Sequence, residues 1–244
     1  MKPTTFLLDL DDTLIGNPMA TFLPPYFKLL AWRLRPFLSD GTDLASLMAA
    51  SVQAMQANEA LDVTNLEAFM ADFTRRIGYT GPELQVVINE FYAKDFLKLR
   101  QHVVYRPEAP QIVRYLLAAG YKVVIATNPL FPVTAIEQRL DWGGVKDFAY
   151  SLVTTMENSY FSKPNRRYYQ AILDQIGSVP AETWMVGDDY DNDIVPAAAL
   201  GIKTWWVTET VPSSETAPVY DKFGPLADFL IWLKHDLNPA DETG

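Results

Sequence analysis

The stretch Thr5-Phe6-Leu7-Leu8-Asp9-Leu10-Asp11-Asp12-Thr13-Leu14 sets the reading of the whole chain. Its first four residues form a short apolar run that stops at acids, the pattern of a strand buried on both faces of a parallel sheet. Alternate side chains of an extended segment point the same way, so Asp9 and Asp11 share one side. Two carboxylates so placed can divide the roles of nucleophile and acid/base, provided a cation relieves their repulsion. A plain acidic turn is the competing account of any single pair of this kind.

Further apolar runs lie at residues 121–126, 151–154, 183–186 and 203–207. Helical patterns alternate with them. Ile112, Val113, Leu116 and Leu117 share a face before Gly120, a residue suited to a helix C-terminus. Pro164 suits the first turn of a helix running to Ile176, which Gly177 closes. A short third helix over residues 194–200 stops at Gly201. Strands alternating with helices predict an α/β fold, a doubly wound parallel sheet with helices on both faces. Residues 19–105 differ, with helical periodicity (Leu44, Leu47, Met48, Ser51, Val52) and little β-branched clustering. So long an interval is no crossover loop and reads as an inserted all-helical domain.

Three more positions close predicted strands, at the sheet edge where ligands bind in open parallel sheets. The run Val123-Val124-Ile125-Ala126 ends in Thr127-Asn128, where a hydroxyl can donate to a phosphoryl oxygen, although strands also end this way for turn chemistry. Ser162-Lys163-Pro164-Asn165 puts a lysine before a helix, where it adds to the positive end that accepts phosphate. Gly187-Asp188-Asp189-Tyr190-Asp191-Asn192-Asp193 holds four acids in six residues. Such a density of hard oxygen donors suits Mg²⁺ or Ca²⁺. An EF-hand loop is excluded, because Ile194 stands where it needs glycine and Leu200 where it needs glutamate.

Taken together, the acid pair, Thr127, Lys163 and the acid cluster occur in the order of the four motifs of the haloacid dehalogenase-like hydrolases, which the chain resembles over residues 4–17 and 106–208. The resemblance implies a Rossmann-like catalytic core, residues 1–17 and 106–244, with a helical cap inserted at 18–105. It implies a phosphatase using Mg²⁺ on a small phosphorylated metabolite. Asp9 would then be the nucleophile that becomes an aspartyl-phosphate, and Asp11 the acid/base. Thr127, Asn128 and Lys163 would hold the phosphoryl group. Asp9, the Asp11 carbonyl and Asp188 would bind the metal, with Asp189 and Asp193 orienting these groups. A 2-haloacid dehalogenase, a phosphomutase and a non-enzymatic scaffold share the fold. Asp11 argues against the dehalogenase, since carbon–halogen displacement needs no protonated leaving oxygen, and the complete motif set argues against the scaffold.

Composition excludes other classes. The formal charge is −10, with 30 acids against 20 bases, so nucleic acid is not an expected partner. There is no cysteine, and the two histidines, His102 and His235, are far apart, which removes disulfides, thiolate zinc sites and multi-histidine sites. The apolar stretch 22–38 contains Lys28, Arg33, Arg35 and three prolines, and so does not read as a membrane span. No signal peptide is recognisable, and a cytoplasmic location is the expectation. Exposed aromatics around Trp205 and Trp206 would allow a homodimer as well as a monomer.

Overall fold

The computed structural model describes residues 2–210 and 219–237. Five strands lie where apolar runs predict them: β1 (Thr5–Leu8), β4 (Lys122–Ile125), β5 (Leu152–Val153), β6 (Thr183–Gly187) and β7 (Lys203–Val207). A sixth, β8 (Lys222–Gly224), completes a parallel sheet of order β5-β4-β1-β6-β7-β8. Two further strands, β2 (Ile15–Gly16) and β3 (Val104–Tyr105), pair antiparallel where the chain leaves and re-enters the core. Two residues are too few to carry the alternation by which strands are read from sequence.

Strand alternation sorts the core. Phe6 and Leu8 of β1, Val123 and Ile125 of β4, and Trp184 and Val186 of β6 face one apolar layer. It includes Ile112, Val113 and Leu116 of α5 (Glu108–Ala118), Ile136 and Leu140 of α6 (Val133–Trp142), and Phe229 of α9 (Leu226–Trp232). Leu7, Val124 and Met185 face the other layer, against Tyr168, Tyr169, Ile172 and Leu173 of α7 (Arg166–Ile176) and Ala197 of α8 (Val195–Ala198). The sheet is doubly wound, as expected. It switches direction at β1, which has β4 on one side and β6 on the other, so their carboxyl ends open onto one crevice.

Two local expectations are corrected. Pro164 lies outside α7, because the Asn165 side chain accepts the Arg167 N–H and caps the helix one residue later. Gly177 closes it in the left-handed region at φ 60°. The helix expected over 194–200 is a π turn (Tyr190–Ile194) followed by the four-residue α8, since Asp189 caps the chain earlier.

Residues 19–102 carry α1 (Met19–Leu34), α2 (Leu44–Gln56), α3 (Asn65–Ile77) and α4 (Pro82–Glu90), then π and 3₁₀ turns from Phe91 to His102. Phe22, Tyr26, Leu30, Phe69, Phe73, Phe91 and Phe96 form a separate apolar cluster that continues into Ala135 and Trp142 of α6. The buried Asn65 joins these helices to the core. Its N–H donates to Ser159 O at 2.8 Å, and its amide donates to Phe161 O at 3.2 Å and Pro129 O at 3.4 Å. Those loops carry Lys163 and Thr127-Asn128. No helix among the described residues is long and apolar enough to cross a membrane.

Candidate functional site

Asp9 directly follows β1, and its N–H is bonded to Val186 O at 2.9 Å, which sets it against the end of β6. Lys163 donates from Nζ to Asp9 Oδ1 and to Asp193 Oδ1, both at 2.6 Å, and is itself 2% exposed. Burial opposes the ammonium charge. Asp193 and Asp9 outweigh it and hold the Lys163 pKa well above the ordinary lysine value, so the side chain is a fixed cation. Burial likewise raises the Asp9 and Asp193 carboxyls despite this partner.

Asp188 closes the site from β6. The Thr13 hydroxyl donates to Asp188 Oδ1 at 3.2 Å and accepts the Asp188 N–H at 3.0 Å. Trp206 Nε1 donates to the Asp188 carbonyl at 2.8 Å. Of the aromatics expected to be exposed here, Trp205 is buried in the core and Trp206 is half-buried with its indole N–H bracing Asp188, while Phe223, the partner of Trp206 on β8, is exposed. Burial, and then the charges of Asp9 and Asp12, push the Asp188 carboxyl up to about 7.

The oxygens of Asp9, Asp188 and Asp193 approach within 4.8 Å of one another. Three buried or half-buried carboxylates so close together carry more charge than the single Lys163 ammonium neutralises, and an all-oxygen set fits Mg²⁺. Gly187 makes the arrangement possible. A Cβ there would stand 2.1 Å from Asp193 Oδ2, so only glycine lets that carboxylate lie against the strand end.

Asp11 has a different environment. Asn17 Nδ2 donates to its Oδ1 at 2.8 Å, and Arg139 Nη1 donates to its Oδ2 at 2.5 Å. Arg139, from α6, is wholly buried with its guanidinium 4.3 Å from the Phe131 ring centroid. Asp12 takes φ 56°, a conformation Asp tolerates, and its carboxylate accepts the Asn17 N–H at 2.7 Å. Asn17 therefore holds Asp11 with its side chain while its own backbone is held by Asp12.

Thr127 is buried. Its carbonyl accepts bonds from the Thr154 hydroxyl at 2.7 Å and the Tyr168 hydroxyl at 2.8 Å, while Asn128 lines the cleft. Asp189 accepts the Asp191 and Asn192 N–H groups, both at 3.0 Å, so its carboxylate serves as a turn cap. The cleft, about 290 Å³, is lined by Asp9, Asp11, Asn128, Lys163, Asp188, Asp189 and Asp193, while Thr127 lies buried behind it. A larger cavity of about 500 Å³, lined by apolar residues such as Leu30, Phe69 and Phe73 of the inserted helices and by residues 132–134 and 156–157 of the core, contains none of these groups.

Sequence reading missed Arg139, Asn17, Thr13 and Trp206. Arg139 left a signal, since it shares the buried face of α6 with Ala135, Ile136 and Leu140, and a charge there needs a partner. The other three are ordinary polar or aromatic residues whose partners are more than 15 residues away, or are set by one turn. Arg139→Met, which keeps the stem's apolar contacts, is expected to leave the chain folded and to lower kcat on the order of tenfold or more, with KM little changed. Steady-state kinetics on a variant verified by circular dichroism checks this. An unaltered kcat would mean that Asp11 needs no fixed orientation.

Known proteins resemble this chain in sequence and in fold. A model of the haloacid dehalogenase-like hydrolases matches residues 3–201. The pyrophosphatase PpaX of Bacillus velezensis is 29% identical over 106 residues, 43% of this chain and 47% of that protein. The chain thus spans about half the length of the curated relatives it matches. Among solved structures, a 2-haloacid dehalogenase from Pseudomonas syringae superposes with a TM-score of 0.65 at 17% identity, covering 95% of this chain and 98% of that one. A HAD phosphatase from Thermococcus onnurineus gives 0.58 at 17% identity, covering 96% and 98%. At that identity the two structures speak for the fold alone, and it is the family match over most of the chain, on the residues just described, that decides: this chain belongs to the haloacid dehalogenase-like hydrolases.

Proposed function

We propose that the chain is a Mg²⁺-dependent phosphatase that hydrolyses a small phosphate monoester through an aspartyl-phosphate on Asp9. The observation that carries this reading is the oriented second carboxylate. Asp11 shares the cleft with Asp9, and Arg139 and Asn17 hold both of its oxygens. Attack on carbon needs no such group, whereas an alkoxide leaving a phosphorus centre needs a proton.

Asp9 attacks phosphorus and the ester oxygen departs, taking a proton from Asp11. Asp11 then removes a proton from water, which attacks the phosphorus of the aspartyl-phosphate, frees Asp9 and yields inorganic phosphate. Lys163 faces the Asp9 oxygen and neutralises charge on the transferring group, helped by Asn128 and Thr127 at the end of β4. Mg²⁺ held by Asp9, Asp188 and the Asp11 carbonyl, with Asp193 orienting Lys163 and the Asp189 N–H beside it, would withdraw charge from the phosphoryl oxygens. Residues 18–105 would act as the cap over a core of 1–17 and 106–244, excluding water from the cleft. A cytoplasmic enzyme, monomeric or dimeric, acting on a metabolite and not on nucleic acid or membrane, accords with the acidic charge and the 290 Å³ cleft.

Phosphate release by the full chain is expected to stop on chelation and to return with Mg²⁺ more fully than with Ca²⁺, whose looser coordination suits the cluster less well. Because Asp188 must lose a proton to bind metal and its carboxyl lies at about 7, binding weakens as pH falls. Between pH 8 and pH 6 the half-saturating Mg²⁺ concentration should rise roughly tenfold, one proton being displaced. Full activity after metal removal would sink the reading. So would halide release from 2-chloropropionate by a protein that cleaves no phosphate ester.

A further inference from the structure

The N-terminus of α3 is joined to the core by hydrogen bonds rather than left to water. Its Asn65 N–H donates to Ser159 O at 2.8 Å and its Leu66 N–H to Met156 O at 3.0 Å. The next two donors close on the helix cap, Glu67 N–H to Thr64 Oγ1 at 3.3 Å and Ala68 N–H to Thr64 O at 2.9 Å. The N–H groups that a helix start leaves without partners are thus all satisfied, two of them by backbone carbonyls of the loop between β5 and α7. Asn65 adds its side chain to this junction. It is 1% exposed, and its Nδ2 donates to Phe161 O at 3.2 Å and to Pro129 O at 3.4 Å.

These two acceptors lie on the two loops that carry the phosphate-binding groups. Pro129 directly follows Thr127-Asn128, and Phe161 stands two residues before Lys163. The loops also meet each other, where Met156 N–H donates to Phe131 O at 3.1 Å. At its strand end the first loop is held by Thr154 and Tyr168, which bind the Thr127 carbonyl. Past Asn128 it is held by Asn65. A carboxamide has two N–H donors at a fixed spacing, so one side chain can set the separation of two carbonyls from different loops. An apolar side chain has no such donor, and a hydroxyl has one. Asp9 and Asp188 stand outside this junction, since they are placed by the ends of β1 and β6.

We propose that Asn65 is a positioning residue for phosphoryl transfer, an inference that rests on the phosphatase reading. Its amide ties the loop of Thr127-Asn128 and the loop of Lys163 to one point on the inserted helices. The groups that hold the phosphoryl oxygens reach their working separation while α3 is seated on the core, whereas the metal ligands keep theirs through the sheet. A charge or donor aimed at a transferring group loses much of its effect when it is displaced, even by a change remote from the chemistry.

The test uses the full chain in saturating Mg²⁺, with p-nitrophenyl phosphate as substrate and inorganic phosphate as the bound probe. Asn65→Leu nearly keeps the side-chain volume and removes both donors. In protein shown to be folded by circular dichroism, kcat should fall about tenfold or more, and the dissociation constant of phosphate, by calorimetry, should rise about fivefold. The half-saturating Mg²⁺ concentration should be no higher than in the wild type. A folded variant with wild-type kcat and phosphate affinity overturns the proposal, because the amide would then serve stability alone. So does an equal rise in half-saturating Mg²⁺, the mark of a site loosened as a whole. Where Asn65→Leu does not fold, Asn65→Ala, which crowds nothing, is read in the same way, and failure of both makes the residue structural and ends the proposal. A wild-type protein that neither cleaves the aryl ester nor binds phosphate sinks the phosphatase reading itself, and this inference with it.

Discussion

Asp9→Asn is expected to reduce turnover to background, on the order of 10⁴-fold or more, the scale found when a nucleophile is removed. The amide cannot attack phosphorus, and it is a weaker metal ligand than the carboxylate. The fold should survive. The Asp9 carboxyl is raised from its ordinary value, chiefly by burial and also by the charge of Asp11, so ionised Asp9 is a burden on the metal-free fold. An amide of the same shape removes that repulsion and still accepts a hydrogen bond from Lys163. Thermal unfolding in chelator should therefore show a Tm no lower than wild type. Mass spectrometry of protein quenched during turnover should show one added phosphate on the wild-type chain and none on the variant. A folded Asp9→Asn protein with near wild-type rate would remove Asp9 from the chemistry.

Lys163→Met should cost both activity and stability. Its ammonium is bonded to Asp9 Oδ1 at 2.6 Å, and in the proposed mechanism loss of a charge so close to the nucleophile lowers kcat on the order of 10²–10³-fold. Removing it also leaves Asp9 and Asp193 buried and without their common partner, and breaking a buried pair costs about 3–5 kcal/mol. The stability loss should shrink at lower pH. The Asp9 and Asp193 carboxyls, already raised, are raised further without Lys163 and so take up protons across a range where the unfolded chain stays ionised. Urea titrations at pH 8 and pH 6, with kcat measured on folded protein in saturating Mg²⁺, separate the two effects. Lys163→Arg provides the control, since it keeps the charge but not the point-like geometry. A stable Lys163→Met protein with unchanged kcat would make the lysine a structural cation only.

Much of the fold was legible because burial writes itself into short apolar runs. Phe6-Leu7-Leu8, Val123-Val124-Ile125 and Trp184-Met185-Val186 are buried on both faces of the sheet, so each had to be apolar without alternation. β2, β3 and β8 were not legible: they are two or three residues long with no longer apolar run to mark them, and both residues of β3 and two of the three of β8 are exposed. Asp9, Asp188 and Lys163 were placed in the sequence by what precedes or follows them, a strand end or a helix start.

The sequence by itself thus determined the strands β1, β4, β5, β6 and β7, the helices α5 and α7, the helical character of the segment between β2 and β3, and the presence of four polar clusters near strand ends and a helix start. These follow from local periodicity and from the chemistry of adjacent residues, both of which are written along the chain. Only the tertiary structure decided how the clusters meet. It brought Lys163 between Asp9 and Asp193, turned Trp206 inward onto Asp188, and carried Arg139 128 residues along the chain to the Asp11 carboxylate. Such contacts depend on strand order and helix packing, and a buried charge shows only that it must have a partner. Which partner it finds is decided when the sheet places the ends of β1, β4 and β6 side by side.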